Sequence, residues 1–351
     1  MKTAVVLFNL GGPTDQLSIK PFLFNLFYDR AILQLPNPFR YFLAKLLAYK
    51  RAPEAAKIYA HMDDKSPLLE HTQAQAQALE QKLPDGYKVF IAMRYWQPRA
   101  EATVQEIQRY APDKIVFLPL YPQFSMTTTG SSFKEMEGLL QRYVPDVPIA
   151  RVCCFPDQPD FTATIADLIQ AKLQELDPTL CYRLLFSAHG LPKKVIQKGD
   201  PYQRHVEETV QAVVKQLHQP DLDYTICYQS RVGPLEWIRP STEDEIKRAA
   251  QDKVQIVMIP IAFVSEHSET LVELDIEYKA LAQECGAPGY VRVPTVSTDP
   301  AFIHGLVDLV LQAAAHPSTA GFAQRRRCPT SFKQCLNLNS CYQSTDCEEK
   351  C

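Results

Sequence analysis

Two stretches of this chain carry ionisable side chains at positions where an α/β fold would present them to a ligand. The first is Leu-Leu-Phe-Ser-Ala-His-Gly-Leu-Pro, residues 184–192, an apolar run that closes on His189 and then on Gly190 and Pro192. An unbroken apolar run of that length reads as a buried strand, and Gly-x-Pro ends it. His189 is therefore expected at the strand's carboxyl edge, where open α/β sheets bind ligands. The second stretch is Val264–Tyr278, which follows another strand-like run, Val254–Ala262, and holds Glu266, His267, Glu269, Glu273 and Glu277. Read as a helix, it sets Glu269, Glu273 and Glu277 at intervals of four, so three carboxylates line one face. No lysine or arginine relieves that row before Lys279, and leucine, valine and isoleucine occupy positions between. A solvated helix face is the ordinary reading of such a row. Beside a histidine it also suits divalent-cation handling or proton transfer, because anionic oxygens bind hard cations and carboxylates with displaced pKa values pass protons.

The elements that would position these residues follow from hydrophobic periodicity. Strand-like runs fall near Val5–Leu10, Lys88–Met93, Ile115–Tyr121 and Pro148–Cys153, and again near Tyr182–Ala188, Tyr224–Tyr228, Gln255–Ala262 and Tyr290–Val296. Helical patterns separate them at Leu68–Lys82, Ala100–Tyr110, Phe161–Leu176, His205–Leu217 and Pro300–Ala314. The halves echo each other: Leu7-Phe8-Asn9-Leu10-Gly11-Gly12-Pro13 answers Leu185-Phe186-Ser187-Ala188-His189-Gly190-Leu191-Pro192, and Leu118-Pro119-Leu120 before Ser125 answers Ile259-Pro260-Ile261 before Ser265. The predicted fold is α/β, with two doubly wound, Rossmann-like domains over residues 1–155 and 156–318 and an active-site cleft between the carboxyl ends of their strands. A cysteine-rich tail, residues 319–351, follows.

Composition narrows the function classes. The chain is 351 residues long, 46% hydrophobic and 22% charged, as globular enzymes are, with a net charge of −3 and no basic stripe interleaved with aromatics to suit a nucleic acid. No apolar run reaches the roughly 18 residues of a membrane span. Thr3–Phe8 runs directly into a Gly-Gly-Pro turn and lacks a small-residue cleavage site, so it reads as a first buried strand rather than a signal peptide. A cytoplasmic location and reduced thiols are expected. A nucleotide-binding oxidoreductase would show Gly-x-Gly-x-x-Gly after the first strand, where this chain has Leu10-Gly11-Gly12-Pro13-Thr14-Asp15.

Phe-Ser-Ala-His-Gly-Leu-Pro (Phe186–Pro192) and Ser-Glu-His-Ser-Glu-Thr-Leu-Val-Glu-Leu-Asp-Ile-Glu-Tyr (Ser265–Tyr278) resemble the ferrochelatases, which insert ferrous iron into a porphyrin. Asn9–Pro13, Lys65–Leu68, Met93–Tyr95, Leu120–Ser125 with Thr129–Ser132, and Tyr228–Pro234 extend the resemblance over roughly 300 residues. One departure precedes Ser66: the family carries glycines there, and this chain has Met62-Asp63-Asp64-Lys65. The resemblance implies a two-lobed chelatase fold, ferrous iron and protoporphyrin IX as substrates, and a soluble monomer or homodimer. His189 would lie at the porphyrin centre as proton acceptor or metal ligand, Glu269 would partner it, and His267, Glu273 and Glu277 would pass protons or metal. Tyr59, Ser66, Arg94 and Tyr95 match positions of porphyrin contact, where a hydroxyl or guanidinium can bind a propionate. Related readings are a chelatase for another metal or for a coproporphyrin, and a porphyrin carrier without activity.

Four further segments carry expectations. Residues 18–51 combine an apolar stripe (Ile19, Phe22, Leu23, Leu26, Phe27) with Tyr41, Phe42, Leu46 and Leu47 beside Arg40, Lys45, Lys50 and Arg51. By resemblance they form a lip over the active-site mouth, in peripheral contact with the inner face of a membrane through Phe22, Leu23 and Phe27. Gly11, Gly12 and Pro13 make a tight turn or a close backbone approach to a ligand. Thr127–Ser132 make a helix N-terminus that receives an anion, or only a cap. In the tail stand Cys328, Cys335, Cys341, Cys347 and Cys351. Many ferrochelatases hold a [2Fe–2S] cluster on cysteine thiolates, and four of these five are its expected ligands. The spacings differ from the close Cys-x2-Cys-x4-Cys run of animal enzymes, and a threonine stands near position 164 in place of their internal cysteine. Cys153, Cys154, Cys181, Cys227 and Cys285 sit in or beside apolar runs and read as inert thiols.

Overall fold

The computed structural model describes residues 1–231, 233, 235–315 and 328–337. Cys341, Cys347 and Cys351 lie outside the described residues. In the first half, β1 (Thr3–Asn9) leads into α1 (Gln16–Tyr28) and α2 (Phe39–Ala60), the two helices of the segment expected to form a lip; α3 (Leu68–Lys82), β2 (Tyr87–Met93), α4 (Ala100–Tyr110), β3 (Lys114–Pro119), α5 (Ser131–Tyr143) and β4 (Ile149–Arg151) follow. The second half runs α6 (Pro159–Leu173), β5 (Tyr182–His189), α7 (Lys193–Gln197), α8 (Tyr202–Leu217), β6 (Tyr224–Gln229), α9 (Thr242–Gln251), β7 (Gln255–Pro260), α10 (Lys279–Glu284), β8 (Tyr290–Arg292) and α11 (Pro300–Ala315). Every strand-like run of the sequence is a strand, and the differences are at the ends. The last run, expected to reach Val296, stops pairing at Arg292.

Both sheets are parallel and share one topology, β2-β1-β3-β4 and β6-β5-β7-β8. Val6 stands beside Phe90 and Phe117, as Phe186 stands beside Ile226 and Ile259, so the echo between the halves is an echo of register. β1 is buried along its whole length, because helices cover both faces of a parallel sheet and leave no side for polar residues. Phe8, Phe117 and Phe133 pack on one face with ring centroids 5.0–5.2 Å apart. Unlike the expected boundary, α11 does not stay with the second half: it packs on α3, β3 and β4 as well as on α6, and one apolar cluster runs through both lobes.

The lobes are joined by buried amides. Gln75 of α3 donates to the carbonyls of Val264 (3.0 Å) and Ser297 (2.9 Å) and accepts from Ser265 Oγ (3.0 Å), fixing the segment ahead of the acidic helix. Gln123 donates to Thr209 Oγ1 and the Ile261 carbonyl. In the loop where glycines were expected, Asp63 and Asp64 sit at φ of 54° and 60°, left-handed backbone that aspartate tolerates better than most residues. Glycine at those positions would serve the same turn.

Candidate active site

The carboxyl ends of β5 and β7 create the site. β5 ends on His189, and the acidic segment follows β7 as a helix, but not the α-helix that the spacing suggests: Glu269–Tyr278 is a π-helix. Its i→i+5 hydrogen bonds widen the turn, a distortion frequent at functional sites, and side chains four apart still follow one another along a face. Glu269 therefore turns to the cleft, Glu273 lies behind it, and Glu277 lies on the exposed surface further on.

His189 Nδ1 and Glu269 Oε2 are 2.8 Å apart, with side chains 39% and 25% exposed. His267, buried, turns Nε2 to the same oxygen at 3.9 Å, while its Nδ1 lies 3.2 Å from the Ser265 carbonyl. A carbonyl can only accept, so that contact assigns the His267 proton to Nδ1 and leaves Nε2 a lone pair. Burial works to lower the pKa of His189, but the charge and hydrogen bond of Glu269, with Glu273 behind, outweigh it and raise it. Glu269 is the reciprocal case: burial would raise it, and His189 with His267 bring it down to about 2. His267 is lowered, chiefly by burial against the pull of Glu269 and Glu266. The site thus holds an ionised carboxylate between two imidazoles with opposite proton affinities.

Glu273 is enclosed. Its Oε1 accepts from Ser230 N–H (2.9 Å) and Tyr278 Oη (3.1 Å), and its Oε2 from Gln229 Nε2 (2.9 Å) and Ser230 Oγ (2.5 Å). Burial and the charge of Glu269 raise its pKa against those hydrogen bonds. Glu266 does not face the pair: it binds Arg292 Nη1 (2.9 Å) and Thr295 N–H (2.9 Å), while Arg292 Nε binds Asp275 (2.7 Å). One guanidinium thereby clamps the approach to the π-helix to its middle.

The four residues matched to porphyrin contact have separate settings. Tyr59, on α2, is buried; its hydroxyl bonds the Ser268 side chain across the cleft, and burial lifts its pKa to about 12. Ser66 is buried behind Gly12, where a Cβ would come within 2.4 Å of its side chain, and its N–H donates to the Pro13 carbonyl. Gly11 has φ of 83°, so the Gly-Gly-Pro segment is both a tight turn and a close approach, the approach being to Ser66 and the Trp96 backbone. Arg94 spends each of its three nitrogens inside the protein: Nε on Ser131 Oγ (2.8 Å), Nη1 on Glu135 (2.9 Å) and Nη2 on Asp29 (3.0 Å). Tyr95 is fully buried and donates to the same Asp29 carboxylate at 2.8 Å. Asp29 ends α1, so Arg94 and Tyr95 fasten the lip to the body. Asp29 and Glu135 carry no sequence signal, being single polar residues far apart in the chain, and Ser131 stood out only as part of the Thr127–Ser132 segment.

Two expectations about loops and surface are revised. The anion at the turn before α5 is the protein's own Asp200, fully buried, which accepts from Ser125 Oγ (3.0 Å) and Met126 N–H (2.8 Å). In the lip, Phe22 and Leu23 are buried and Phe27 is partly buried, all packed around Tyr59 and Tyr95. The most exposed apolar residues are instead Leu17, Phe39, Phe42, Leu46 and Tyr49. The apolar stripe of α1 faces α2 and the core, because two adjoining helices must bury a face against each other before either can offer one outward.

Cysteines gather behind the turn that Asp200 caps. Cys153 and Cys154, after β4, are within hydrogen-bonding reach of each other; Cys335 reaches both Cys153 and Cys328, and all four are buried. His205 accepts from Phe124 N–H at Nδ1 (3.1 Å), so its Nε2 carries the proton directed at Cys328 Sγ, 3.2 Å away. Hydrogen bonds from Cys153 and Cys328 pull the Cys335 thiol down. Cys153 and Cys154 are thus partners of the tail cysteines, not isolated core thiols. Adjacent cysteines in an apolar run carry no sign of this until the tail folds back on them.

Two lobes, each built on a parallel sheet and meeting near His189, Glu269 and His267, make an α/β fold that solved structures share. SirB from Bacillus subtilis with Fe3+ superposes with a TM-score of 0.55 at 12% identity, covering 90% of this chain and 96% of SirB. The sirohydrochlorin chelatase SirB in complex with cobalt gives 0.52 at 10% identity. Within that fold, residues 2–314 match the family model described as ferrochelatase. The chain is 48% identical to the ferrochelatase of Rickettsia felis over 342 residues, 95% of this chain and 98% of that one. It is 46% identical to that of Pelagibacter ubique over 345 residues, 97% and 99%. This chain belongs to the ferrochelatase family.

Proposed function

We propose that this chain inserts ferrous iron into protoporphyrin IX, releasing the two pyrrole protons and forming haem. The observation that carries the reading is the 2.8 Å contact of His189 with Glu269 at the mouth of β5, with His267 as a third group on the same oxygen. Insertion needs a base for each pyrrole N–H and a donor set that lets go of the metal. Glu269 takes the Nδ1 proton of His189 as a hydrogen bond, which leaves Nε2 as the acceptor for a pyrrole proton and stabilises the imidazolium that results. His267 Nε2 and Glu269 supply nitrogen and oxygen donors for an incoming divalent ion, too few to trap it. The test is anaerobic incubation of purified protein with ferrous iron and protoporphyrin IX, read as haem absorbance. Haem from coproporphyrin III alone, or insertion of cobalt but not iron, would move the assignment to the related chelatase; tight porphyrin binding without turnover would make the chain a carrier.

The thiol group fits a [2Fe–2S] cluster. Cys153, Cys154, Cys328 and Cys335 supply four buried sulfur donors, the number such a cluster takes, with His205 as a hydrogen-bond donor at its edge. The cluster would supply one-electron chemistry remote from the pair; the role of the chain's own residues there is to anchor the tail. Pinned this way, segment 328–337 grips the loop at Gly199, whose carbonyl accepts from Gln334 N–H at 3.2 Å.

We further propose that α2 rests on a membrane surface. Phe39, Phe42, Leu46 and Tyr49 recur at helical spacing on one exposed strip, with exposed Lys45 and Lys50 alongside. Apolar anchors flanked by lysines suit an interfacial helix on an anionic leaflet. Among the described residues no helix is long and apolar enough to cross a membrane.

A further inference from the structure

We propose that His205 tunes the thiol site: it holds one N–H on the Cys328 sulfur, keeps its own nitrogen off the metal, and raises the reduction potential of a cluster bound there. The inference rests on the [2Fe–2S] reading and deepens it. His205 is on α8, fully buried, between two fixed partners. Phe124 N–H donates to its Nδ1 at 3.1 Å, and its Nε2 lies 3.2 Å from Cys328 Sγ. An amide N–H can only donate, so Nδ1 presents its lone pair and the proton of the neutral ring is on Nε2. For Nε2 to bind iron, the ring would have to give up that last proton. Turning the ring over would not help, since it sets a C–H against the Phe124 N–H and leaves that donor buried without an acceptor. Gln123, next to Phe124, keeps the arrangement in place: its amide donates to Thr209 Oγ1 (2.9 Å) and to the Ile261 carbonyl (3.3 Å), and Thr209 Oγ1 donates to the His205 carbonyl (2.9 Å). The ring, the loop after β3 and the end of β7 are thus tied together by contacts that do not involve the tail.

The surroundings make that N–H matter. Reduction by one electron adds one negative charge among the sulfurs; hydrogen bonds to sulfur stabilise it and nearby carboxylates oppose it. Two carboxylates act on the tail thiols, the buried Asp200 on Cys335 and Glu208 on Cys328. Arg204 pairs with Glu208 at 2.7 Å and offsets part of its charge. Against them stand the His205 Nε2–H on Cys328 and the Asn337 backbone N–H on Cys335. The backbone donor survives any substitution of its side chain, whereas the His205 donor is lost with its ring. No proton need move with the electron, because the N–H stays on its nitrogen in both states.

The test uses the full chain, purified anaerobically, reduced stepwise with dithionite in the presence of redox mediators and followed by EPR. His205→Leu fills much of the same space without an N–H. It should carry the same iron and sulfide as wild type and shift the midpoint to lower potential. His205→Gln can return an N–H to the sulfur but cannot accept from Phe124 in the same pose, so its midpoint should fall between the two. Wild type with neither iron–sulfur absorption nor an EPR signal would overturn the cluster reading and this inference with it. A wild-type cluster whose midpoint is unchanged in His205→Leu would overturn this inference alone. If His205→Leu does not fold or loses the cluster, wild type labelled with nitrogen-15 histidine decides. A weak nitrogen coupling in the pulsed EPR spectrum of the reduced protein is that of a hydrogen-bonded imidazole and supports the proposal. A coupling as strong as that of a directly bonded nitrogen, or none, overturns it.

Discussion

His189 and Glu269 are 80 residues apart in the chain and 2.8 Å apart in the fold, one at the end of β5 and the other at the start of the π-helix after β7. Adjacent parallel strands bring them together, because β5 and β7 pair in register up to Ser187 and Pro260 and both segments then leave the sheet on the same side. Replacing His189 with alanine removes the proposed proton acceptor while leaving both strands intact. Turnover should fall about 10²–10⁴-fold, with porphyrin binding retained as measured by fluorescence quenching. Near wild-type turnover would falsify its catalytic assignment.

Glu269→Gln tests the partner through pH. Glu269 is the main influence raising the His189 pKa against burial, so an uncharged amide should let that pKa fall. His189 accepts a proton only when neutral, so wild-type activity should rise with pH through the raised pKa. In Glu269→Gln that limb should move to lower pH, while plateau turnover drops by a factor of ten or more. The same residues set a stability window. The Glu269 contribution is present above the unfolded carboxylate range and is lost as pH falls towards about 2. Acid unfolding monitored by circular dichroism should therefore begin at higher pH in the variant.

Much of this was legible before the structure. His189, Glu269 and His267 stand in uninterrupted local patterns, a buried strand ending at Gly-x-Pro and an unrelieved acidic row, and local patterns survive folding. The helical type of residues 269–278 was not legible, because an i, i+4 row of carboxylates suits an α- or a π-helix. The fastening role of Arg94 was hidden for a different reason: Asp29, Ser131 and Glu135 lie 65, 37 and 41 residues from it, and only the fold unites them. The lip shows the limit of reading apolarity alone. Phe22 and Phe42 look equally ready to meet a membrane in the sequence, and only the packing of α1 on α2 decides that Phe42 is the exposed one.

Arg94→Ala should therefore act first on stability. It leaves the Asp29 carboxylate, only 6% exposed, without a counter-charge, held by the Tyr95 and Ser131 hydroxyls alone, while Glu135 keeps Arg99 at 2.8 Å. Removing one partner of a buried ion pair costs about 3–5 kcal/mol, and Arg94→Lys, which cannot serve three acceptors in a plane, should recover only part of it. Chemical denaturation measures this. A variant of wild-type stability with a raised porphyrin KM would return Arg94 to the propionate role.

The membrane surface is tested by Phe39→Ser together with Phe42→Ser. Both side chains are about two-thirds exposed, 68% and 65%, so the pair should fold normally and lose co-sedimentation with phosphatidylserine-containing vesicles. Phe22→Ser is the contrasting variant: that side chain is 5% exposed, and its loss should lower Tm. Unchanged vesicle binding in the double variant would remove α2 as the docking face.

The cysteine assignment separates two parts of the tail. If Cys153, Cys154, Cys328 and Cys335 hold a [2Fe–2S] cluster, anaerobically purified protein should be reddish, with visible absorption and an EPR signal on reduction. Cys335→Ser and Cys153→Ser should each abolish both signals, because each removes a thiol that contacts two others. Removing residues 338–351, with Cys341, Cys347 and Cys351, should leave the signals in place. Loss of the cluster on that truncation, with Cys154→Ser silent, would move the fourth ligand into the tail's last segment. A colourless protein carrying stoichiometric zinc would assign the same four sulfurs to a structural tetrahedral site. In either case the metal should protect the grip on Gly199: chelation should open the 328–337 segment to proteolysis before it affects the two sheets, since that segment is held by the thiols and a few backbone contacts while the sheets are packed in extensive apolar clusters, one of them common to both.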